Sequence, residues 1–176
     1  MTTSEQVFGQ LAPLEALTAI AAIQRCLLDY CHGIDRCDAD LVASVYHADG
    51  TDDHGSFVGL GTDFAVQATR KLREYAVATT HFCAQPTIDF ESSTVAQVET
   101  QVLAWHRVEG PDGQFLEKFG GRYFDRFECR NGDWRIAHRL LTRDWDTKET
   151  VDLAFPKNPF APSPRINSSN PSTETK

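Results

Sequence analysis

The chain has 176 residues, 41% of them apolar, which is enough to bury one ordinary core in a single domain. Its formal net charge of −8 argues against nucleic acid or an anionic membrane surface as the main partner, because both select basic faces. No apolar run is long enough to span a membrane, and residues 1–5 lack the basic and apolar pattern of a secretory signal.

The cysteine content and the composition of the C-terminal residues predict the cellular compartment and the boundaries of the folded domain. Five cysteines without a CxxC motif argue against a disulfide scaffold and favour a reducing, cytoplasmic compartment. Residues 156–176 are rich in Pro, Ser, Asn and Thr and hold little that a core would bury. The sequence therefore predicts one folded domain over residues 1–155, followed by a flexible tail.

The front half of the chain carries helical patterns. Apolar side chains recur every three or four residues from Leu17 to Ile34, and Gly33 falls where such a helix would end. A second, short helix is predicted over residues 39–46, followed by a turn at Asp49-Gly50. A third helix, with an N-cap at its start, is predicted over residues 62–77.

The back half carries strand patterns. The predicted strands are residues 56–58, 87–90, 95–108, 115–128 and 134–145. Pro111-Asp112-Gly113 and Asn131-Gly132 are hairpin turns between the long strands. Helices first, then a meander of antiparallel strands, predict an α+β domain with its helices on one face of a curved sheet.

This order of elements resembles the SnoaL-like branch of the nuclear transport factor 2-like superfamily over residues 10–146. The matching segments are Ala22-Ile23, residues 30–35, residues 41–49, Gly59, Thr80-His81-Phe82, Gly121-Arg122-Tyr123 and residues 133–136. The resemblance implies a cone-shaped α+β barrel, in which about three N-terminal helices pack on a curved, mainly antiparallel sheet around a mostly apolar pocket. The superfamily hosts enzymes and non-catalytic subunits alike, so fold alone does not define function.

Within that superfamily the chain is most similar to scytalone dehydratase, the hexachlorocyclohexane dehydrochlorinase and the bile-acid dehydratases. Those enzymes carry an aspartate at the end of the first helix and a histidine just after the third, at positions matched by Asp35 and His81. The dehydratases add a tyrosine near the aspartate, matched by Tyr30. The resemblance therefore implies that Asp35, His81 and Tyr30 are catalytic residues.

These residue types suit the removal of a proton from carbon. A histidine is an effective base near neutral pH, since the unperturbed pKa of its side chain is ~6.5. A carboxylate at Asp35 would accept the other ring N–H of His81 and stabilise the imidazolium that forms. Tyr30 would donate a hydrogen bond to an enolate oxygen or to the leaving group. This chemistry requires no metal and no organic cofactor.

Asp52-Asp53-His54 is the next polar cluster. Two carboxylates beside an imidazole are compatible with a metal site, but without a third ligand a polar strand end is the simpler interpretation. Strand alternation puts Asp53 and His54 on opposite faces, so only one of them can line a cavity. Because the first strand often borders the pocket in this family, the resemblance implies Asp53 and His54 as candidate substrate contacts.

Two later strands carry further polar candidates. His106 shares an alternating face with Val102 and Ala104, which places it at the mouth of the cavity. The nearby Gly110 favours a different placement, in which His106 is exposed close to a turn. His138 and Arg139 fall on opposite faces of the last strand, and the pattern does not decide which of the two meets a substrate.

The functional hypothesis is a cofactor-independent lyase, dehydratase- or dehydrochlorinase-like, that acts on a small hydrophobic or polycyclic molecule. Two alternatives stay open: an isomerase or polyketide cyclase in the same pocket, and a non-catalytic ligand-binding or accessory subunit. The resemblance also implies a homo-oligomer, either a trimer or a dimer.

Overall fold

The computed structural model describes residues 11–152 and 163–165. The helices within these residues are α1 (Pro13–Arg36), α2 (Ala39–Ser44) and α3 (Gly61–Tyr75). The strands are β1 (Tyr46–Asp53), β2 (Val58–Leu60), β3 (Ala76–Cys83), β4 (Thr87–Ser92), β5 (Val95–Gly110), β6 (Gly113–Arg130) and β7 (Asp133–Thr150). None of these helices is long and apolar enough to cross a membrane.

The strands form one mixed sheet in the order β2-β1-β7-β6-β5-β3, and β4 also pairs with β5. Every pairing is antiparallel except that of β1 with β7, which is parallel. Strands β2 and β3 are the two ends of this order, so the sheet does not close into a barrel. The predicted α+β class, with three helices on a curved, mainly antiparallel sheet, is confirmed.

Helix α1 supplies most of the helical part of the core. Its buried stripe repeats at helical spacing and consists of Ala16, Ala19, Ile23, Leu27, Tyr30 and Ile34. Leu17, which the periodicity placed on the inward face, is 59% exposed, because the stripe starts one residue earlier, at Ala16. The stripe packs against sheet residues such as Val98, Val102, Phe127 and Ile136.

The end of α1 differs from the prediction. Gly33 stays helical, and the chain leaves the helix at Cys37, which adopts the left-handed conformation with φ 56°. A Cβ atom at Gly33 would lie 2.7 Å from Cγ2 of Val42 on α2. Glycine at this position therefore allows α1 and α2 to approach closely, and does not end the helix.

Strands β1 and β3 were predicted wrongly from sequence. The second helix is present but ends at Ser44, whereas residue 46, predicted as its last residue, and Asp49-Gly50, predicted as a turn, lie in β1. Residues 76 and 77 were assigned to the third helix and no strand was predicted at His81, yet all three belong to β3. Pairing of β1 with β7 and of β3 with β5 outweighs the local signals.

The two long hairpins agree with their turn signals. Asn131 and Gly132 both have positive φ, 55° and 91°, as a two-residue turn between twisted strands requires. The β5–β6 ladder closes with Gly110 opposite Gly113, around the predicted turn. These hairpins fix the register of the three strands that form the main wall of the candidate site.

Most of the predicted tail, residues 156–162 and 166–176, lies outside the described residues. Arg165 is described, and its guanidinium donates hydrogen bonds to the main-chain oxygens of Leu72 (3.4 Å) and Ala76 (2.6 Å). This part of the C-terminal region therefore docks where α3 passes into β3.

Candidate functional site

Asp35 and His81 lie side by side, although they are 46 positions apart in sequence. Nδ1 of His81 is 2.8 Å from Oδ1 of Asp35, and the main-chain N–H of His81 donates to Oδ2 at 3.0 Å. A carboxylate only accepts, so Nδ1 carries the hydrogen and Nε2 is the basic nitrogen of the neutral ring. The last turn of α1 and the middle of β3 thus hold one imidazole in a single tautomer.

The His81 ring lines two adjoining cavities of about 480 and 730 Å³. Both cavities are also lined by His54, His106 and Glu117. Apolar side chains contribute to both walls, among them Val102, Phe119, Tyr123, Leu141, Ile34, Phe57 and Phe64. Charged residues of β6 and β7 also line the smaller cavity: Lys118, Arg143, Asp146 and Lys148. The volume suits a small organic molecule.

His106 faces the cavity and is not an exposed turn residue. Its ring centroid lies 5.4 Å from that of His81, and it is opposite Thr79 in the β3–β5 ladder. Burial, and then the neighbouring His81, lower the pKa of His106 to about 4, so the ring is neutral at pH 7. Nε2 of His106 is buried and has no hydrogen-bond partner among the described residues. Strand alternation was the correct signal for this residue.

Tyr30 points from α1 into the larger cavity and is 2% exposed. Its hydroxyl lies 3.4 Å from Nε2 of His54, and its ring meets that of Tyr123 edge to face at 5.6 Å. Burial raises the pKa of Tyr30 well above its ordinary value, so its hydroxyl stays protonated. The structure therefore brings Tyr30 next to His54, and not into hydrogen-bond contact with Asp35 or His81.

A buried ion pair that was not expected from the sequence lies behind Tyr30. Arg139 and Asp125 are both fully buried and form two hydrogen bonds, of 2.8 and 2.7 Å. The guanidinium carbon lies 3.8 Å from the ring centroid of Tyr123 and 4.3 Å from that of Tyr30. Arg139 thus supports both tyrosine rings, while His138 is exposed and contacts Thr51 on the other side.

Strand alternation puts the side chains of Asp52 and His54 on one side of the chain and that of Asp53 on the other. Asp52 is fully buried, and its Oδ1 lies 2.5 Å from Nδ1 of His54. Asp53 points away and accepts a hydrogen bond from the main-chain N–H of Gly55 at 2.9 Å. It lines neither of the two cavities, so the structure places His54 at the site and does not place Asp53 there.

Asp52 was not expected from the sequence to be the partner of His54. Asp52 and His54 are two residues apart, the spacing that puts both side chains on one face of a strand. That spacing was the available signal, but the identity of the inward face was not known. Among the described residues, no three His, Cys, Asp or Glu side chains converge as a metal site.

Two thiols lie close to the site. Sγ of Cys31 on α1 is 3.2 Å from Sγ of Cys83 on β3, and all five cysteines are free. Cys83 lies two residues beyond His81, and Cys31 directly follows Tyr30. The contact therefore adds to the packing of α1 against the strand that carries the histidine.

The model of the SnoaL-like domain family matches residues 15–140. Among curated proteins, none matches the chain. A candidate scytalone dehydratase from Novosphingobium aromaticivorans is 25% identical, with a TM-score of 0.69 over 80% of this chain and 94% of that chain.

Two dehydrochlorinases share the fold. A type 2 hexachlorocyclohexane dehydrochlorinase is 21% identical, with a TM-score of 0.74 over 84% of this chain and all of that chain (100%). The type 3 enzyme from Novosphingobium barchaimii is 20% identical, with a TM-score of 0.70 over 86% of this chain and 100% of that chain. The family match covers most of the chain, and these folds agree with it. The protein belongs to the SnoaL-like family of the nuclear transport factor 2-like superfamily.

Proposed function

We propose that the protein is a cofactor-independent lyase of the dehydratase or dehydrochlorinase kind, which removes a proton from a small hydrophobic or polycyclic substrate. The observation that carries this proposal is the 2.8 Å contact of His81 with Asp35 at the wall of the cavities. Membership of the SnoaL-like family, and its dehydratase and dehydrochlorinase relatives, support the same reaction class.

His81 is the proposed base. With Nδ1–H held by Asp35, the free Nε2 takes a proton from a carbon beside an electron-withdrawing group. The Asp35 carboxylate then balances the charge of the imidazolium. Two hydrogen bonds from a single residue, one from the ring and one from the main chain, keep the carboxylate in place during this change.

Tyr30 and His106 are proposed to hold the substrate. The Tyr30 hydroxyl stays protonated, so it donates a hydrogen bond to an oxygen on which negative charge develops. The unpartnered Nε2 of His106 is close enough to the base to contact the same molecule. We also propose that the working form is a homo-oligomer with one such pocket in each subunit.

The test uses His81→Gln and Asp35→Asn, with His32→Gln as the control because His32 is an exposed histidine on α1. Ring compounds that carry a hydroxyl or chlorine next to an acidic C–H are incubated with each variant, and alkene, water and chloride are quantified. Both site variants should be slower by ~10²–10⁴-fold, the usual contribution of a positioned base, while the control keeps wild-type activity.

The same assay separates the alternatives. Turnover that survives unchanged in His81→Gln contradicts the proposed base. Isomerisation or ring closure without loss of water or chloride assigns the pocket to an isomerase or cyclase. Binding without any turnover, together with a co-purifying partner subunit, assigns it to a ligand-binding or accessory protein.

A further inference from the structure

A second imidazole–carboxylate pair faces the same cavities as His81. His54 Nδ1 and Asp52 Oδ1 are 2.5 Å apart, and the other carboxylate oxygen of Asp52 accepts the Tyr46 hydroxyl at 2.5 Å. Asp52 has no solvent exposure, whereas the His54 side chain is 16% exposed and lines both cavities. The carboxylate is therefore fixed from both sides, and only the imidazole reaches the cavities.

The ring of His54 is held in one orientation. It stacks on Phe64, with centroids 4.2 Å apart and planes inclined by 26°. Its Nδ1–H is directed to Asp52, so Nε2 is the nitrogen that meets the Tyr30 hydroxyl, at 3.4 Å. The Tyr46 hydroxyl already donates to one oxygen of Asp52, so the imidazole of His54 is the group that connects the other oxygen to the cavity wall.

We infer that His54 is a second catalytic residue, the acid that protonates the leaving oxygen, and that Asp52 is its positioning residue. The inference rests on the proposed lyase function, because it assigns the leaving-group side of the same reaction. His81 reaches the cavities from β3, and His54 reaches them from the position directly after β1; both rings line the same two cavities, so one molecule can contact both.

The proton and electron balance is complete without another reactant. Nε2 of His81 takes the proton from the carbon next to a carbonyl, and the C–H electron pair becomes the new C=C bond. The C–O bond at the neighbouring carbon breaks with its electrons on oxygen, which takes the proton from Nε2 of His54, whose ring enters the step as the imidazolium paired with the Asp52 carboxylate. Water leaves, His81 releases its extra proton to solvent, and His54 takes one proton back from solvent.

This division of roles identifies the substrate class. Hydroxide is a poor leaving group and departs as water only when it is protonated, whereas chloride departs as an anion without a proton. A site with a built acid opposite its base is therefore matched to a β-hydroxy carbonyl compound and not to a chlorinated one.

The test compares two leaving groups on one carbon skeleton. 4-Hydroxybutan-2-one loses water and 4-(4-nitrophenoxy)butan-2-one loses nitrophenolate, and both give but-3-en-2-one. His54→Gln should slow the first reaction by ~10²–10⁴-fold and the second by less than about tenfold, because nitrophenolate needs no acid. His81→Gln should slow both reactions. His138→Gln is the control, since His138 is exposed and outside both cavities.

The other results are also decisive. Equal losses on both substrates in His54→Gln, or no loss on either, overturn the acid role. A wild-type enzyme that eliminates nitrophenolate but never water overturns it too, while leaving the proposed lyase function in place. Turnover of neither compound by wild type overturns the assignment to β-hydroxy carbonyl substrates, while the assay on ring compounds tests the lyase function separately. Asp52→Asn should show the same selective loss on 4-hydroxybutan-2-one, because Asp52 acts through His54. If this variant does not fold, as judged by circular dichroism, His54→Gln carries the test alone.

Discussion

Single side chains define what this site can do. Asp35 receives both of its short hydrogen bonds from one residue, His81, and so fixes the ring and the strand together. Asp52 divides its two oxygens between Tyr46 and His54. His106 has no such partner for Nε2, and its environment keeps it neutral. The three histidines of this pocket therefore differ in the hydrogen-bond partners of their rings.

The neutral state of His106 predicts a pH dependence of stability. The pKa of this side chain falls from 6.5 to about 4 on folding, first because of burial and second because of His81. Below pH 6.5 the unfolded chain binds a proton that the folded protein does not bind. The free energy of unfolding should therefore decrease as the pH falls from 6.5 towards 4, by up to ~1.4 kcal/mol per pH unit.

Urea unfolding at pH 7.5 and pH 5 measures this contribution. His106→Asn should lose about 1–2 kcal/mol less than wild type between the two conditions, because Asn does not titrate. His32→Asn removes an exposed histidine and should follow the wild-type profile. Parallel profiles for His106→Asn and wild type would show that the buried ring does not contribute.

At the scale of elements, β6 and β7 form the wall on which the tyrosines rest. Asp125 and Arg139 are direct partners in the β6–β7 ladder, and both side chains are fully buried. On the opposite face of the same sheet, Arg126 pairs with Glu91 at 3.0 Å, with side chains 39% and 48% exposed. The two ion pairs share their chemistry and differ in burial.

That difference predicts different costs for removing the carboxylate. Asp125→Ala should lower the free energy of unfolding by about 3–5 kcal/mol, because it leaves a buried guanidinium without its counter-charge. Glu91→Ala should lower it by less than about 1 kcal/mol, since water screens an exposed pair. Urea titration of both variants measures this. Equal losses would contradict the prediction, and adding Arg139→Met should restore part of the stability of Asp125→Ala.

At the scale of the whole molecule, the sheet separates the cavities from an outer face that carries an apolar patch as well as ion pairs. Phe82 on β3, Phe124 on β6, and Leu140 and Trp145 on β7 are exposed on that face, by 59%, 40%, 36% and 47%. Phe124 and Leu140 are cross-strand partners. An exposed apolar patch of this kind is typical of a surface that binds another protein, and it is where we expect subunits to meet.

Sedimentation analysis tests that expectation. The wild-type chain should sediment as a dimer or trimer, and Phe124→Asp with Leu140→Asp should shift it to the monomer, because charges at the centre of an interface are not solvated. Leu28→Asp is the control, since Leu28 is 62% exposed on α1 and does not belong to the outer face of the sheet. A monomeric wild type would exclude the oligomer, and an unchanged double variant would place the interface elsewhere.

Local patterns determined more of this fold than of its site. Three features depend only on residues close in sequence and could be predicted from it: the stripe on α1, the turn at Asn131-Gly132 and the alternation on β5. The resemblance marked Asp35 and His81 as a pair. Strand β3 was missed because its alternation is weak and its strand character comes from pairing with β5.

The sequence by itself determined the α+β class, the order of most elements and the family. Only the tertiary structure decided that Asp52 pairs with His54 and that Asp53 points away from the site. It also decided that Arg139 lies against Tyr30, 109 positions earlier in the chain. Periodicity states which residues share a face, but not which element covers that face. That choice is made by packing and strand pairing across the whole chain, and the chemistry of the site depends on it.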